Sequence, residues 1–197
     1  MTQDVAQVLS EGTYDLPLFL SYLKSFTISG EQPEREILLG ILMQSLSRFH
    51  TSDFTACMCL VSAQVQQSAS VEREINYIYA LENLLSCGDF ANFWQQWTKV
   101  KGELPESFNF ETRTRTSILE VISFTTGTIP LSTVARYLGV PENQVGQAVQ
   151  NAKSQGGELE CEVGDGNLVF GSNAFNTPKA NVYQESIKFK DVLKVVR

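Results

Sequence analysis

The sequence predicts a mostly α fold. A stack of helices fills residues 1–127, and two short helices with a β-hairpin fill 128–171. A polar linker follows over 172–183 and a last helix over 184–197. Three observations carry this reading. From Asp15 to Thr126 the apolar residues recur at helical spacing. Gly164-Asp165-Gly166-Asn167 separates two short β-type runs, a strong hairpin signal. The 197 residues are 43% hydrophobic, yet no apolar run approaches the roughly 20 residues that span a bilayer, so the apolar residues belong to a packed core. The length suits one domain or two small ones.

The helical pattern opens at Asp15–Phe26, where Leu16, Leu18, Phe19, Leu20, Tyr22, Leu23 and Phe26 supply the apolar positions. Pro17 sits in its first turn, where a missing N–H costs little. Pro33 opens the next helix, with Glu34 and Glu36 favoured by the positive end of the helix dipole. Its single face is Ile37, Leu38, Ile41, Leu42, Leu46 and Phe49. Ser70 is the expected N-cap of a third helix. There Ile75, Tyr77, Ile78, Leu81, Leu84 and Leu85 cover most of the circumference, so that helix should be largely buried. Gly88 stops it in a left-handed C′ conformation. Asp89 caps the next helix, whose Phe90, Phe93, Trp94 and Trp97 form an aromatic face. Such a helical hairpin buries its faces only by stacking on neighbours. A looser stretch from Gly102 to Phe110 precedes one more helix, about Phe110 to Thr126, stopped by Gly127.

Past Gly127 the pattern changes. Ile129-Pro130 reads as a short extended entry. Leu131, Val134, Ala135 and Leu138 make a short amphipathic helix ended by Gly139. Pro141 starts another, with Val145, Ala148, Val149 and Ala152 inside, ended by Gly156-Gly157. Leu159–Val163 and Leu168–Phe170 are the two arms of the hairpin. Helix, turn, helix and a two-stranded wing make a winged-helix module. The stretch from Gly171 to Tyr183 is polar. The closing helix shows an apolar face of Phe189, Val192, Leu193 and Val196.

Charge and composition then exclude whole classes of chemistry. The balance is 15 basic against 22 acidic residues, a net −7, which gives no global attraction to nucleic acid or to an anionic membrane. The N-terminus lacks the basic and apolar regions of a signal peptide, so a soluble, cytoplasmic protein is expected, with the nucleus left open. The chain has one histidine, His50, and histidine is the usual general base and the commonest metal ligand. At the junction His50-Thr51-Ser52-Asp53 its expected role is capping or surface. Of Cys57, Cys59, Cys87 and Cys161, the first two are one residue apart on a helix and diverge by roughly 200°. They cannot share a metal, and the cysteines are expected as small buried hydrophobes. There is no phosphate-binding loop, because the glycines at 164–166 lie in a hairpin and not between strand and helix. No enzyme, cofactor or metal site is expected.

A DNA-reading winged helix needs cations for phosphates and polar side chains for base edges. Residues 128–177 carry Arg136 and Lys153 against Glu142, Glu158, Glu160, Glu162 and Asp165. A surface of that sign repels phosphate. Asn143, Gln144, Gln147, Gln150 and Asn151 serve a protein partner equally well. The tail from 178 reverses the balance, with five bases against two acids. That leaves an RNA contact open, beside the plainer reading of a solvated helix face.

Helices first and winged helix last is the architecture of PCI-domain proteins of the proteasome lid, the signalosome and initiation factor three. Two blocks sharpen the likeness: His50-Thr51-Ser52-Asp53-Phe54-Thr55-Ala56-Cys57-Met58-Cys59 and Leu84-Leu85-Ser86-Cys87-Gly88-Asp89-Phe90-Ala91-Asn92-Phe93-Trp94-Gln95. With Gly166–Phe170, Pro178–Val182 and Ile187-Lys188-Phe189 they resemble the subunit K family of eukaryotic translation initiation factor three. The likeness runs from about Phe49 to the C-terminus and thins upstream. It implies a non-catalytic scaffold subunit whose partners are other subunits of that factor, chiefly subunit L, and indirectly the small ribosomal subunit. It implies no membrane and no sequence-specific DNA. Subunits of this kind join through winged-helix edges and bundles of C-terminal helices. The implied contact residues are Glu160, Cys161, Glu162, Val163, Leu168, Val169 and Phe170 on the wing. On the last helix they are Phe189, Val192, Leu193 and Val196, whose apolar face needs either another subunit or the chain's own domain to pack on.

Overall fold

The computed structural model describes residues 2–154 and 159–177. The last helix, its face Phe189, Val192, Leu193 and Val196, and the Gly156-Gly157 stop lie outside the described residues.

The helical stack begins earlier than the pattern suggests. Helix α1, Thr2–Glu11, precedes the first expected one. Its signal is short: Val5 is fully buried while Val8 and Leu9 pack at the core's margin, and six of its ten residues are polar. Helix α2, Leu16–Ser29, is capped by the Asp15 carboxylate, which accepts from the Leu18 N–H at 3.0 Å. Helix α3, Arg35–Leu46, is the hub, with every residue of its last ten except Gly40 buried. Its buried Ser45 hydroxyl is satisfied within the helix, donating to Ile41 O at 2.9 Å. It ends before Phe49, which sits in the following turn and packs on Phe90 instead of continuing the helical face.

Helix α4, Asp53–Leu60, buries Phe54, Cys57 and Met58. The short helix α5, Ala63–Gln66, links it to α6, Glu72–Ser86. Two expectations fail at α6. Val71, not Ser70, occupies its N-cap position, and no side chain caps it; Ser70 instead pairs with the Ser68 hydroxyl at 3.0 Å. Only Ile75, Ile78, Leu81 and Leu85 are buried; Tyr77 and Leu84 sit partly buried at the core's margin, and Tyr79 meets Phe54 of α4 edge-on while staying exposed. Gly88 closes it at φ 74°. Helix α7, Phe90–Val100, is capped by Asp89 and buries Phe90, Phe93, Trp94 and Trp97 as its spacing predicts. Removing rings of this size from water is worth about 4–6 kcal/mol each before entropy is counted. Helix α8, Phe110–Thr125, closes the stack and meets α3, where the Ser117 hydroxyl donates to Ser47 O at 2.8 Å.

The winged helix forms as the sequence indicates. Strand β1, Thr128–Pro130, leads into α9, Leu131–Leu138, which Gly139 ends at φ 61°. Pro141 does not start an α-helix directly. A 3₁₀ turn, Glu142–Gln144, comes first, then α10, Val145–Ser154. Strands β2, Cys161–Gly164, and β3, Asn167–Phe170, complete an antiparallel sheet of order β1-β3-β2.

The linker is not free where it starts. Asn173 and Asn176 donate their amides to Ser123 O at 2.8 and 3.1 Å, and Phe175 meets Phe124 edge-on. Asparagine side chains satisfied a helix-end carbonyl that composition alone reads as linker polarity.

Candidate functional site

The wing strands share one sheet, but only one of them is an edge. Gly171 N–H donates to Glu160 O at 2.7 Å, so Glu160 points its backbone at β3. Strand alternation then turns Glu162 the same way, opposite Val169, and turns Cys161 and Val163 toward the open side. On β3, Phe170 N–H donates to Gly127 O at 2.8 Å and faces β1. Strand β3 is therefore paired on both sides, and Leu168, Val169 and Phe170 offer no free backbone. The open edge is Cys161–Val163.

That edge is partly closed already. Lys153 on α10 donates its ammonium to Cys161 O at 2.6 Å. Natural sheets often blunt an edge with lysine. Among the described residues, the N–H of Cys161 and both backbone groups of Val163 stay open. Side chains divide by face. On one face Cys161, Leu168 and Phe170 are buried and Val163, at the turn end, is 49% exposed; on the other Val169 is 44% exposed. Glu160 and Glu162 are exposed. The site is a short strand edge with one exposed valine on each face and an acidic rim.

The same lysine bears on nucleic-acid reading. Lys153 is the only cation of α10, and it is held on the wing backbone. Gln144, Gln147 and Asn151 line a cleft with Thr112 and Arg115 of α8. These three, with Asn143 and Gln150, are solvent-exposed.

The residues weighed for chemistry are scattered. Cys57 and Cys161 are buried, but Cys59 and Cys87 are exposed, against expectation. Cys59 shares α4 with Cys57 and points away, as the 200° divergence requires, and Cys87 follows the last turn of α6. Burial pushes the Cys57 thiol up to about 11 and raises Cys161 too. His50 places Nε2 3.3 Å from a Glu120 carboxylate oxygen. Of the hydroxyls lining the same hollow, those of Thr116 and Ser117 donate to main-chain carbonyls. Among the described residues no three His, Cys, Asp or Glu side chains gather as a metal site. No helix among them is long and apolar enough to cross a membrane.

A second feature was not legible in advance. Trp94 donates its indole N–H to Tyr137 O at 2.8 Å, Arg115 lies over its ring at 4.4 Å and donates to Leu138 O at 3.0 Å. These contacts join α7 and α8 to α9. The aromatic spacing of α7 announced a buried face but not what it would meet.

Comparison with known proteins gives the geometry its context. The model of the CSN8/PSMD8/EIF3K family matches residues 33–170, which contain α3 through the wing. A Danio rerio protein named eukaryotic translation initiation factor 3 subunit K is 29% identical over 131 residues, covering 66% of this chain and 58% of that protein. The Mus musculus protein of the same name is 29% identical over 136 residues, 68% and 61% of the two chains. The Caenorhabditis elegans one is 26% identical over 205 residues, 95% and 82%. In the first of these alignments the chain spans well under two thirds of the relative's length. The matched stretch takes in both the helical hub and the sheet edge: this chain belongs to the CSN8/PSMD8/EIF3K family.

Proposed function

We propose that the chain is a non-catalytic subunit of the eukaryotic translation initiation factor 3 complex, acting in the cytoplasm through protein contacts. The observation that carries this is the repeated match to proteins named as subunit K of that factor, one of them reaching 95% of the chain. The edge chemistry supports it. An exposed strand edge, with Val163 on one face and Val169 on the other, suits addition of a partner strand, and its acidic rim of Glu160 and Glu162 disfavours phosphate. Residues 1–127 act as the stack, 128–171 as the docking module, and the apolar face of Phe189, Val192, Leu193 and Val196 as a second contact. The partner is another subunit of the factor, chiefly subunit L, with the small ribosomal subunit reached indirectly.

A small subunit of the proteasome lid or signalosome is the second reading, because the family's own description joins all three. Affinity capture of the tagged full chain followed by mass spectrometry separates them. Initiation factor 3 subunits and ribosomal proteins are the expected catch; proteasome or cullin components in their place would overturn the assignment. With the first outcome, Phe189→Asp combined with Leu193→Asp should reduce recovery of subunit L about ten-fold or more. Unchanged recovery by a folded double variant sinks the tail contact.

A further inference from the structure

A hollow of about 580 Å³ opens between the turn after α1, the turn after α3 and one side of α8. It lies on the stack, apart from the wing. Its walls carry two arginines, Arg48 and Arg113, and a single carboxylate, Glu120, which His50 holds at 3.3 Å. In a chain of net −7 this is a local reversal of sign. Each arginine is placed from a different element. Arg48 stacks over the Tyr14 ring at 4.3 Å, and the Tyr14 hydroxyl is anchored on Asp53 at 2.6 Å. Arg113 donates to Gly12 O and, at 3.5 Å, to Gln44 Oε1. Neither guanidinium meets a carboxylate among the described residues.

The two guanidiniums share the hollow with one carboxylate, so positive charge is in excess there, with Arg48 exposed and Arg113 partly buried. Burial and the neighbouring Arg48 charge both lower the Arg113 pKa, so its charge is incompletely compensated. Two neutral side chains stand near: Gln44 behind Arg113, outside the lining, and Asn109 in it. Gln44 is 1% exposed, and its Nε2 has no hydrogen-bond partner among the described residues. Asn109 lines the hollow at φ 55°, a left-handed conformation uncommon for a residue with a Cβ, and its side chain caps nothing.

We propose that this hollow is an anion site for one phosphomonoester group, held between Arg48 and Arg113. Guanidinium is the cation whose planar donors match phosphate oxygens two at a time. A dianion answers two fixed cations better than a carboxylate does, and a site with two cations is too small a charge for the run of phosphates in a polynucleotide. The phosphate arrives either on a phosphorylated serine or threonine of a protein segment or on a free small molecule.

The test is a titration of the full chain with inorganic phosphate, phenyl phosphate and a phosphoserine peptide. The readout is the NMR signals of the arginine side-chain N–H groups. Saturable shifts at Arg48 and Arg113 are expected, stronger above about pH 7, where the second proton of phosphate is lost. Arg113→Gln should weaken binding about ten-fold or more. Glu120→Gln removes the one carboxylate and should tighten binding about two- to five-fold, which a merely destabilised fold cannot do. If the peptide binds much more tightly than phenyl phosphate, the source is a protein segment; if they are equal, it is a small molecule. An absence of saturable shifts, equal binding to the Arg113→Gln variant, or a preference for short RNA over every phosphomonoester would overturn the site.

Discussion

Gly139 shows how much a single position decides. It ends α9 at φ 61°, and a Cβ built there would stand 2.5 Å from Trp94 Cγ. That ring cannot move aside, because its N–H is committed to Tyr137 O and Arg115 covers its face. Gly139→Ala therefore combines left-handed strain of about 1 kcal/mol with overpacking of about 1–3 kcal/mol. The expected loss is about 2–4 kcal/mol, or roughly 4–16 °C in Tm for a chain of this size. Thermal denaturation measures it. A control at Gly146, where no atom lies within 4 Å of an added Cβ, should stay within about 1 kcal/mol of the parent, since helix propensity favours alanine there. A Gly139→Ala protein as stable as the parent would mean that Trp94 is not fixed. Gly139 was legible in sequence as a helix stop, since a short amphipathic run ended on it. Its contact with Trp94, 45 positions away in the chain, was not, because spacing reports which face is apolar and says nothing of what the face meets.

At the scale of elements, β2 is the informative case. Both wing arms were legible from the Gly164–Asn167 turn, within two residues of their bounds. Which arm is the edge was not. That depends on β1, a three-residue strand carried by Ile129-Pro130, inserting beside β3, and nothing local to the wing announces it. Lys153 was legible as the one cation of its helix; that its charge caps Cys161 O needed the backbone alternation of β2. The arrangement gives a testable asymmetry. Val163 lends its N–H to the open side, so Val163→Pro removes a donor without breaking a ladder bond to β3. It should leave the fold within about 1 kcal/mol and weaken capture of the proposed subunit partner about ten-fold. Val169→Pro, in the middle strand, breaks the ladder and should destabilise by about 3 kcal/mol or more. If Val163→Pro leaves capture intact, the docking surface is elsewhere. Helix α1 escaped the sequence reading for a related reason: its apolar face is three residues wide, too few for periodicity to register, and α3 supplies the rest of the packing.

For the whole molecule, the sequence suggested a boundary near Gly127, where style changes from long helices to short elements. The packing crosses that boundary repeatedly. Trp94 and Arg115 reach from α7 and α8 to the main chain of α9. Phe90 meets Tyr137 with ring centroids 5.7 Å apart. Phe170 closes a hydrogen bond to Gly127, and Asn173 and Asn176 bring the chain back onto Ser123 at the end of α8. The stack and the winged helix thus share groups that neither could satisfy alone. Such interlocking makes the residues from α1 through the wing unfold together. Heating should give one transition, with far-ultraviolet circular dichroism and tryptophan fluorescence coincident and calorimetric and van't Hoff enthalpies equal. Arg115→Met tests the seam directly. It keeps much of the stem but removes the donor to Leu138 O, the cation over Trp94 and the ion pair with Glu111 at 3.2 Å. With the side chain 20% exposed, the expected cost is about 2 kcal/mol, or about 4–8 °C, and the transition should move as a whole. A variant whose wing melts first, leaving the helical signal at its original temperature, would show that the seam is an interface between two independently stable units.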